Sequence, residues 1–202
     1  MGIMPLDRKL FRNLDHGLLI VILLVVLFGV VIVYSATRGD HTQNMGDPLF
    51  FVKRQALAAL LGLILMAAIL STDYLVFQRL SGPIYWVNLG MLALVLLVGH
   101  RVSGAQSWVR LGPLAFQPSE FSKVLVIMTL ANHLAGKGEI DSLAGLASPI
   151  AHAAVPMALI LLQNDLGTTL VFGAVLLGML YVAGVRGRDL GLLVGAGALA
   201  SP

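Results

Sequence analysis

Long apolar runs broken by short polar segments set the rhythm of this chain, and the runs are too long for ordinary strands. Uncharged stretches cover positions 17–37, 55–72, 80–100, 143–164 and 166–185. A further run at 124–136 is uncharged but short, and reaches full length only by including Glu120 and Lys123. The last begins at Leu190 and stops at Pro202, too short to cross a membrane as written. About 20 mostly apolar residues are needed to traverse roughly 30 Å of hydrocarbon. Backbone amides must be paired inside each segment in lipid, which selects helices, and the alternating ten-residue pattern of a membrane barrel is absent. The expected fold is therefore all-α: a polytopic transmembrane helix bundle with about six complete spans plus the start of a seventh. It is read as a single membrane domain over residues 1–202, with residues 1–15 cytoplasmic.

Flanking signals refine this picture. Tyr85 and Trp86, near one end of the third run, are candidate interfacial anchors. Lys9 and Arg12 precede the first run and Ser35-Ala36 follows it, as around a cleaved leader, but that run exceeds the usual 7–15 residues of such a segment and five more follow. A retained first helix is the expectation. With the N-terminus inside, Arg8, Lys9, Arg12, Arg79, Lys137, Arg186 and Arg188 are cytoplasmic. Arg38, Lys53, Arg54, Arg101, Arg110 and Lys123 then lie outside. The bias is slight, but Arg186 and Arg188 at one connection contrast with the cation-free Gln163-Asn164-Asp165, which favours this orientation. The cations left outside call for an anionic partner there.

Composition changes the picture only by exclusion. Of 202 residues, 58% are hydrophobic and 11% charged, well under the quarter that solvates a soluble domain. The net charge of +3 comes from scattered residues with no basic stripe, so nucleic acid is not an expected partner. There is no cysteine, which excludes disulfides and thiolate metal sites.

The longest connection, 100–117, is rich in glycine and aromatics and is the place to look for chemistry. From Gly104 to Lys123 it reads Gly-Ala-Gln-Ser-Trp-Val-Arg-Leu-Gly-Pro-Leu-Ala-Phe-Gln-Pro-Ser-Glu-Phe-Ser-Lys, a loop feeding a helix. Gly112-Pro113 is a turn signal and Pro118 suits a first helical turn. Glu120 falls where the helix dipole favours a carboxylate, and Lys123 shares its face. A charge at mid-membrane costs on the order of 2.5–3.5 kcal/mol on insertion scales, so the two either pair near the interface or line a wet cavity. Asp165 precedes an apolar run, where capping the next helix is a sufficient explanation. Trp108 can stack on a sugar or serve as an interfacial anchor. His152, alone in the fifth run, is assigned no role.

These blocks resemble the SEDS family (shape, elongation, division and sporulation), which contains RodA and FtsW. The resemblance rests on Gly104-Ala105, Trp108, Leu111-Gly112, Phe116-Gln117-Pro118-Ser119-Glu120 and Lys123. A second block, Gln163-Asn164-Asp165-Leu166-Gly167-Thr168, looks like the family's Gln-x-Asp-Leu-Gly-Thr. Leu14-Asp15, Tyr34-Ser35-Ala36 and Arg54-Gln55 are weaker echoes. The Phe116–Ser119 tetrad is closer to the RodA pattern, and the match is to the N-terminal portion only. Ser107 stands where the family usually has Arg, with Arg110 three residues on as a substitute cation.

What the resemblance implies is a peptidoglycan glycosyltransferase that polymerises lipid II into glycan strands in elongation and cell-shape control, in the bacterial cytoplasmic membrane. Its partners would be lipid II, the polyprenyl-pyrophosphate-linked glycan and a class B penicillin-binding protein; a divalent cation is a possible cofactor. Such a transfer needs a base and positive charge on the leaving pyrophosphate. Candidate cavity residues are Arg54, Trp108, Arg110, Gln117, Glu120, Lys123, Asp165 and Thr168, and no metal ligand set is assigned. The family's proposed catalytic aspartate lies beyond Pro202, so the 202 residues alone are expected to be inactive. A lipid II flippase or transporter, or a non-catalytic scaffold, is the competing reading.

Overall fold

The computed structural model describes residues 14–37, 47, 49–102, 105–111, 114–138 and 142–200. The chain divides into two compact units, Met1–Asp73 and Tyr74–Pro202. In the first, α1 (His16–Thr37) and α2 (Phe50–Leu70) pack together. Asp15 starts α1 by accepting from Leu18 N at 3.0 Å, as an N-cap should. Asp47 precedes α2, accepting from Leu49 N at 2.9 Å and from Lys53 Nζ at 2.7 Å. The hydrogen bond from Lys53 is the main cause holding the Asp47 carboxyl below its ordinary range. At the far end of α2, Ser71 and Thr72 return their hydroxyls to the carbonyls of Ala67 and Ala68. Neither helix buries a residue within its unit. Of the N-terminal segment assigned to the cytoplasm, residues 1–13 lie outside the described residues.

The second unit begins with the short α3 (Tyr74–Arg79) and α4 (Ser81–Val98). Three strands follow: β1 (His100–Val102), β2 (Ala105–Leu111) and β3 (Leu114–Phe116). Then come α5 (Pro118–Ala135), α6 (Leu143–Leu162), α7 (Leu166–Val182) and α8 (Gly187–Ala200). Leu92, Val126, Ile160 and Phe172, one from each of α4 to α7, form one packed layer. Leu130, Leu134, Leu146, Ala153, Leu180 and Val185 form another. Pro149 and Pro156 sit inside α6 without ending it, as neighbouring helices allow in membrane bundles. Gly184, at φ +87°, makes the left-handed turn after α7 while Val185 N bonds back to Leu180 O.

All six expected spans are helices. Four of them, His16–Thr37, Phe50–Leu70, Ser81–Val98 and Ala144–Leu162, are long and apolar enough to cross by themselves. The helix α7 is apolar but shorter, and α5 carries Glu120 and Lys123 in its first turns. The protein is a multi-pass membrane protein built from helices. The connection at 100–117 departs from a plain loop: it is a three-stranded antiparallel meander. Tyr85 also departs from expectation. Trp86 is 72% exposed, as an interfacial anchor would be, whereas Tyr85 turns inward and its hydroxyl donates to His152 O at 2.9 Å.

Candidate functional site

The meander is fastened to the helices by glutamines. Its strands pair in the order β1-β2-β3, with His100 opposite Trp108, Val102 opposite Ala105 and Arg110 opposite Ala115. Leu111 pairs with Leu114; the Gly112-Pro113 turn signal between them, like Gly104, lies outside the described residues. Gln106 donates its backbone N–H to Gln163 O at 2.8 Å and its side-chain Nε2 to Leu96 O at 3.2 Å. That single residue joins β2 to the α6–α7 junction and to the open carbonyl end of α4. Gly99 makes the approach possible: a Cβ there would lie 2.4 Å from Val95 O and 3.1 Å from the Gln106 side chain. Gln163, fully buried, donates to Leu92 O at 3.1 Å and ties the end of α6 back to α4.

Asp165 sits beside this junction. It caps α7, with Oδ1 accepting from Thr168 N at 3.0 Å. Its second oxygen, Oδ2, accepts from Gln117 Nε2 at 3.3 Å, across 48 residues of sequence. Asn164, at φ 58°, occupies the left-handed region that asparagine tolerates, between the inward Gln163 and the capping Asp165. Among the described residues Asp165 has no ion-pair partner, so its charge is answered only by an amide and an N–H. Gln117 begins α5 in extended backbone and makes no side-chain cap bond, which leaves its amide for Asp165. Phe116 stacks on Phe121, ring centres 4.7 Å apart, across the strand-to-helix corner.

The structure brings Gln117, Asp165 and Thr168 together. Glu120 and Lys123 pair with each other, Lys123 Nζ lying 2.8 Å from both carboxylate oxygens, on a partly exposed face of α5. Trp108 is half-buried in β2. Arg110 lies in the same strand, and its side chain is outside the described residues. Arg54 is exposed on α2, in the first unit. Ser107, where the family usually has Arg, is 1% exposed. Gln106 was not singled out from the sequence, although a glutamine beside an apolar span is itself a signal. Ser119, Ser122, Asn88 and the Gln163 Oε1 atom are buried with no hydrogen-bond partner among the described residues. No group of three or more His, Cys, Asp or Glu gathers among the described residues.

Fold and site together describe a multi-pass helical membrane protein with a glutamine-fastened meander and an aspartate capping the next helix. Residues 15–201 match the family model described as a cell cycle protein and grouping FtsW, RodA and SpoVE. The chain belongs to the FtsW/RodA/SpoVE family. It is 35% identical over 201 residues to a probable peptidoglycan glycosyltransferase FtsW of Trichlorobacter lovleyi, covering 96% of this chain and 52% of the relative. The similarly named protein of Geobacter metallireducens is 36% identical over 194 residues, covering 94% and 52%. Among solved structures, the rod shape determining protein RodA of Thermus thermophilus superposes with a TM-score of 0.67 at 34% identity, covering 87% of this chain and 57% of that one. A chain from a peptidoglycan synthase complex that coordinates polymerization and crosslinking gives 0.64 at 36%, covering 87% and 51%. The chain thus spans about half the length of the curated relatives it matches.

Proposed function

We propose that this chain supplies the substrate-facing N-terminal half of a peptidoglycan glycosyltransferase acting on lipid II at the outer face of the bacterial cytoplasmic membrane, with its N-terminus inside. The single observation carrying this reading is the Gln117–Asp165 hydrogen bond, which unites the two sequence blocks of the family resemblance at one end of the bundle. The relatives named as peptidoglycan glycosyltransferases support the reaction class. In the transfer, a sugar hydroxyl attacks the anomeric carbon of the growing chain, the polyprenyl pyrophosphate leaves, and the hydroxyl proton passes to a base. Arg110 and Lys123 are the proposed cationic lining for the pyrophosphate, Trp108 a sugar-stacking surface, and Gln117, Asp165 and Thr168 the polar floor. No group of three or more His, Cys, Asp or Glu among the described residues would hold a divalent cation; Asp165 is the carboxylate proposed to contact one if it is used.

The proposed partner is a class B penicillin-binding protein, supported by the neighbour solved in a peptidoglycan synthase complex. The Phe116-Gln117-Pro118-Ser119 tetrad supports a role in elongation and cell shape. The names of the curated relatives favour division as the second reading. The test is reconstitution with labelled lipid II of this chain joined to the C-terminal half of the Thermus thermophilus protein. Glycan ladders that vanish with Gln117→Ala are expected. Transbilayer movement of lipid II without polymer would instead establish a flippase, and neither product would leave a scaffold.

A further inference from the structure

At the end of the second unit away from the meander, three aromatic rings from three helices stack in a row. Tyr85 is the fifth residue of α4, His133 lies near the end of α5, and His152 is in the first half of α6. The ring of Tyr85 lies 4.0 Å from that of His152 at 24°, and His152 lies 5.2 Å from His133 at 19°. Each imidazole also holds a hydroxyl of the neighbouring helix. His152 Nε2 is 3.0 Å from Thr129 Oγ1, and His133 Nε2 is 2.6 Å from Ser148 Oγ. Thr129 donates to Val126 O at 3.3 Å, so toward His152 its oxygen is the acceptor and Nε2 carries the proton.

Among the described residues no carboxylate is hydrogen-bonded or ion-paired to either imidazole. Among the described residues the elements packed around it bring Tyr85 from α4 and Tyr181 from α7, the latter 71% exposed; α3 brings the exposed Tyr74 and Arg79, and α8, whose Leu190 and Leu193 pack on the same core, brings the buried Asp189 beside Arg188. On α5 itself, Glu120 and Lys123 neutralise each other near the opposite end. Lys137, just past α5, is held on Gly145 O at 3.2 Å. An ionisable pair among membrane helices is rare enough to suggest a task beyond packing. All three rings are half-buried, so protons can reach them.

We propose that His133 and His152 form a shared proton-binding site, taking up one proton between them and reporting it to the contacts of α4, α5 and α6. One imidazolium is accommodated by ring faces and hydroxyl oxygens. A second would set two cations 5.2 Å apart with no carboxylate bonded to either ring among the described residues, so the pair titrates as a unit. Where His133 Nε2 accepts from Ser148, uptake of the proton turns that nitrogen into a donor and the Ser148 hydroxyl must re-aim, which is how charge becomes a change in helix contact.

The experiment is 15N NMR of the histidine rings in the whole chain in lipid nanodiscs from pH 8.5 to 4.5, with His16 and His100 as internal references. The protonated fractions of His133 and His152 are expected to move together and to sum to about one at the acid end. In His133→Phe, which keeps a flat ring against His152, the fraction on His152 at pH 4.5 should at least double; His133→Gln serves if the larger ring disturbs folding. Two independent, complete titrations in the unmodified chain, or a His152 curve unmoved in the folded variant, would overturn the proposal.

Discussion

The helices α1 and α5 have similar lengths, 22 and 18 residues, and opposite characters. The first is apolar all round and buries nothing within its unit; the second is the least apolar of the long helices and buries Pro118, Ser119, Ser122, Val126, Thr129, Leu130 and Leu134. Lipid tails are as apolar as leucine, so hydrophobicity says which segments cross and little about which faces meet. Small and weakly polar residues carry that second message, because they let backbones approach and bond across helices. The contrast is sharpest in one side chain seen twice: Phe28 of α1 is 65% exposed and Phe172 of α7 is 2% exposed.

The largest expected effect is on that pair. Phe172→Ala should cost about 3–5 kcal/mol in reversible detergent unfolding, while Phe28→Ala stays within about 0.5 kcal/mol. Equal losses would mean α1 is packed as tightly as the second unit and would dissolve the comparison. Next, Asp165→Ala removes the α7 cap and should cost about 0.5–2 kcal/mol; Asp165→Asn keeps an acceptor for Thr168 N and should recover most of it. A similar loss in both would mean the charge, not the cap, holds the junction. Glu120→Gln breaks a partly exposed ion pair and should change stability by no more than about 1 kcal/mol, with the loss shrinking in high salt. The smallest effect is Ser122→Ala, near zero or slightly stabilising, because the buried hydroxyl has no partner to lose among the described residues. A clear destabilisation there would show that the hydroxyl is bonded after all.

Much of this was readable in advance because it is local. The spans follow from runs of apolar residues, the Glu120–Lys123 pair from an i,i+3 spacing, and the Asp165 cap from a carboxylate just ahead of an apolar stretch. What escaped notice depends on partners far away in sequence. The strands of the meander are three, seven and three residues long, too brief to show alternation, and exist only because they pair. Tyr85 and Trp86 look equivalent as neighbours, yet a helix sends them in directions 100° apart, and only His152 on α6 decides which one turns inward. Gln106 and Gln163 read as polar punctuation until each is seen bonded to a backbone carbonyl of α4. Within the candidate site, Gln117, Asp165 and Thr168 meet, whereas nothing local to Arg54 could say that it belongs to the other compact unit.

Gln106 bears a mechanical consequence. Peeling the meander away would strip hydrogen bonds from Leu96 and Gln163 and open the corner at Gly99 in one motion. The segment is therefore a strut bolted across helix ends, not a swinging flap.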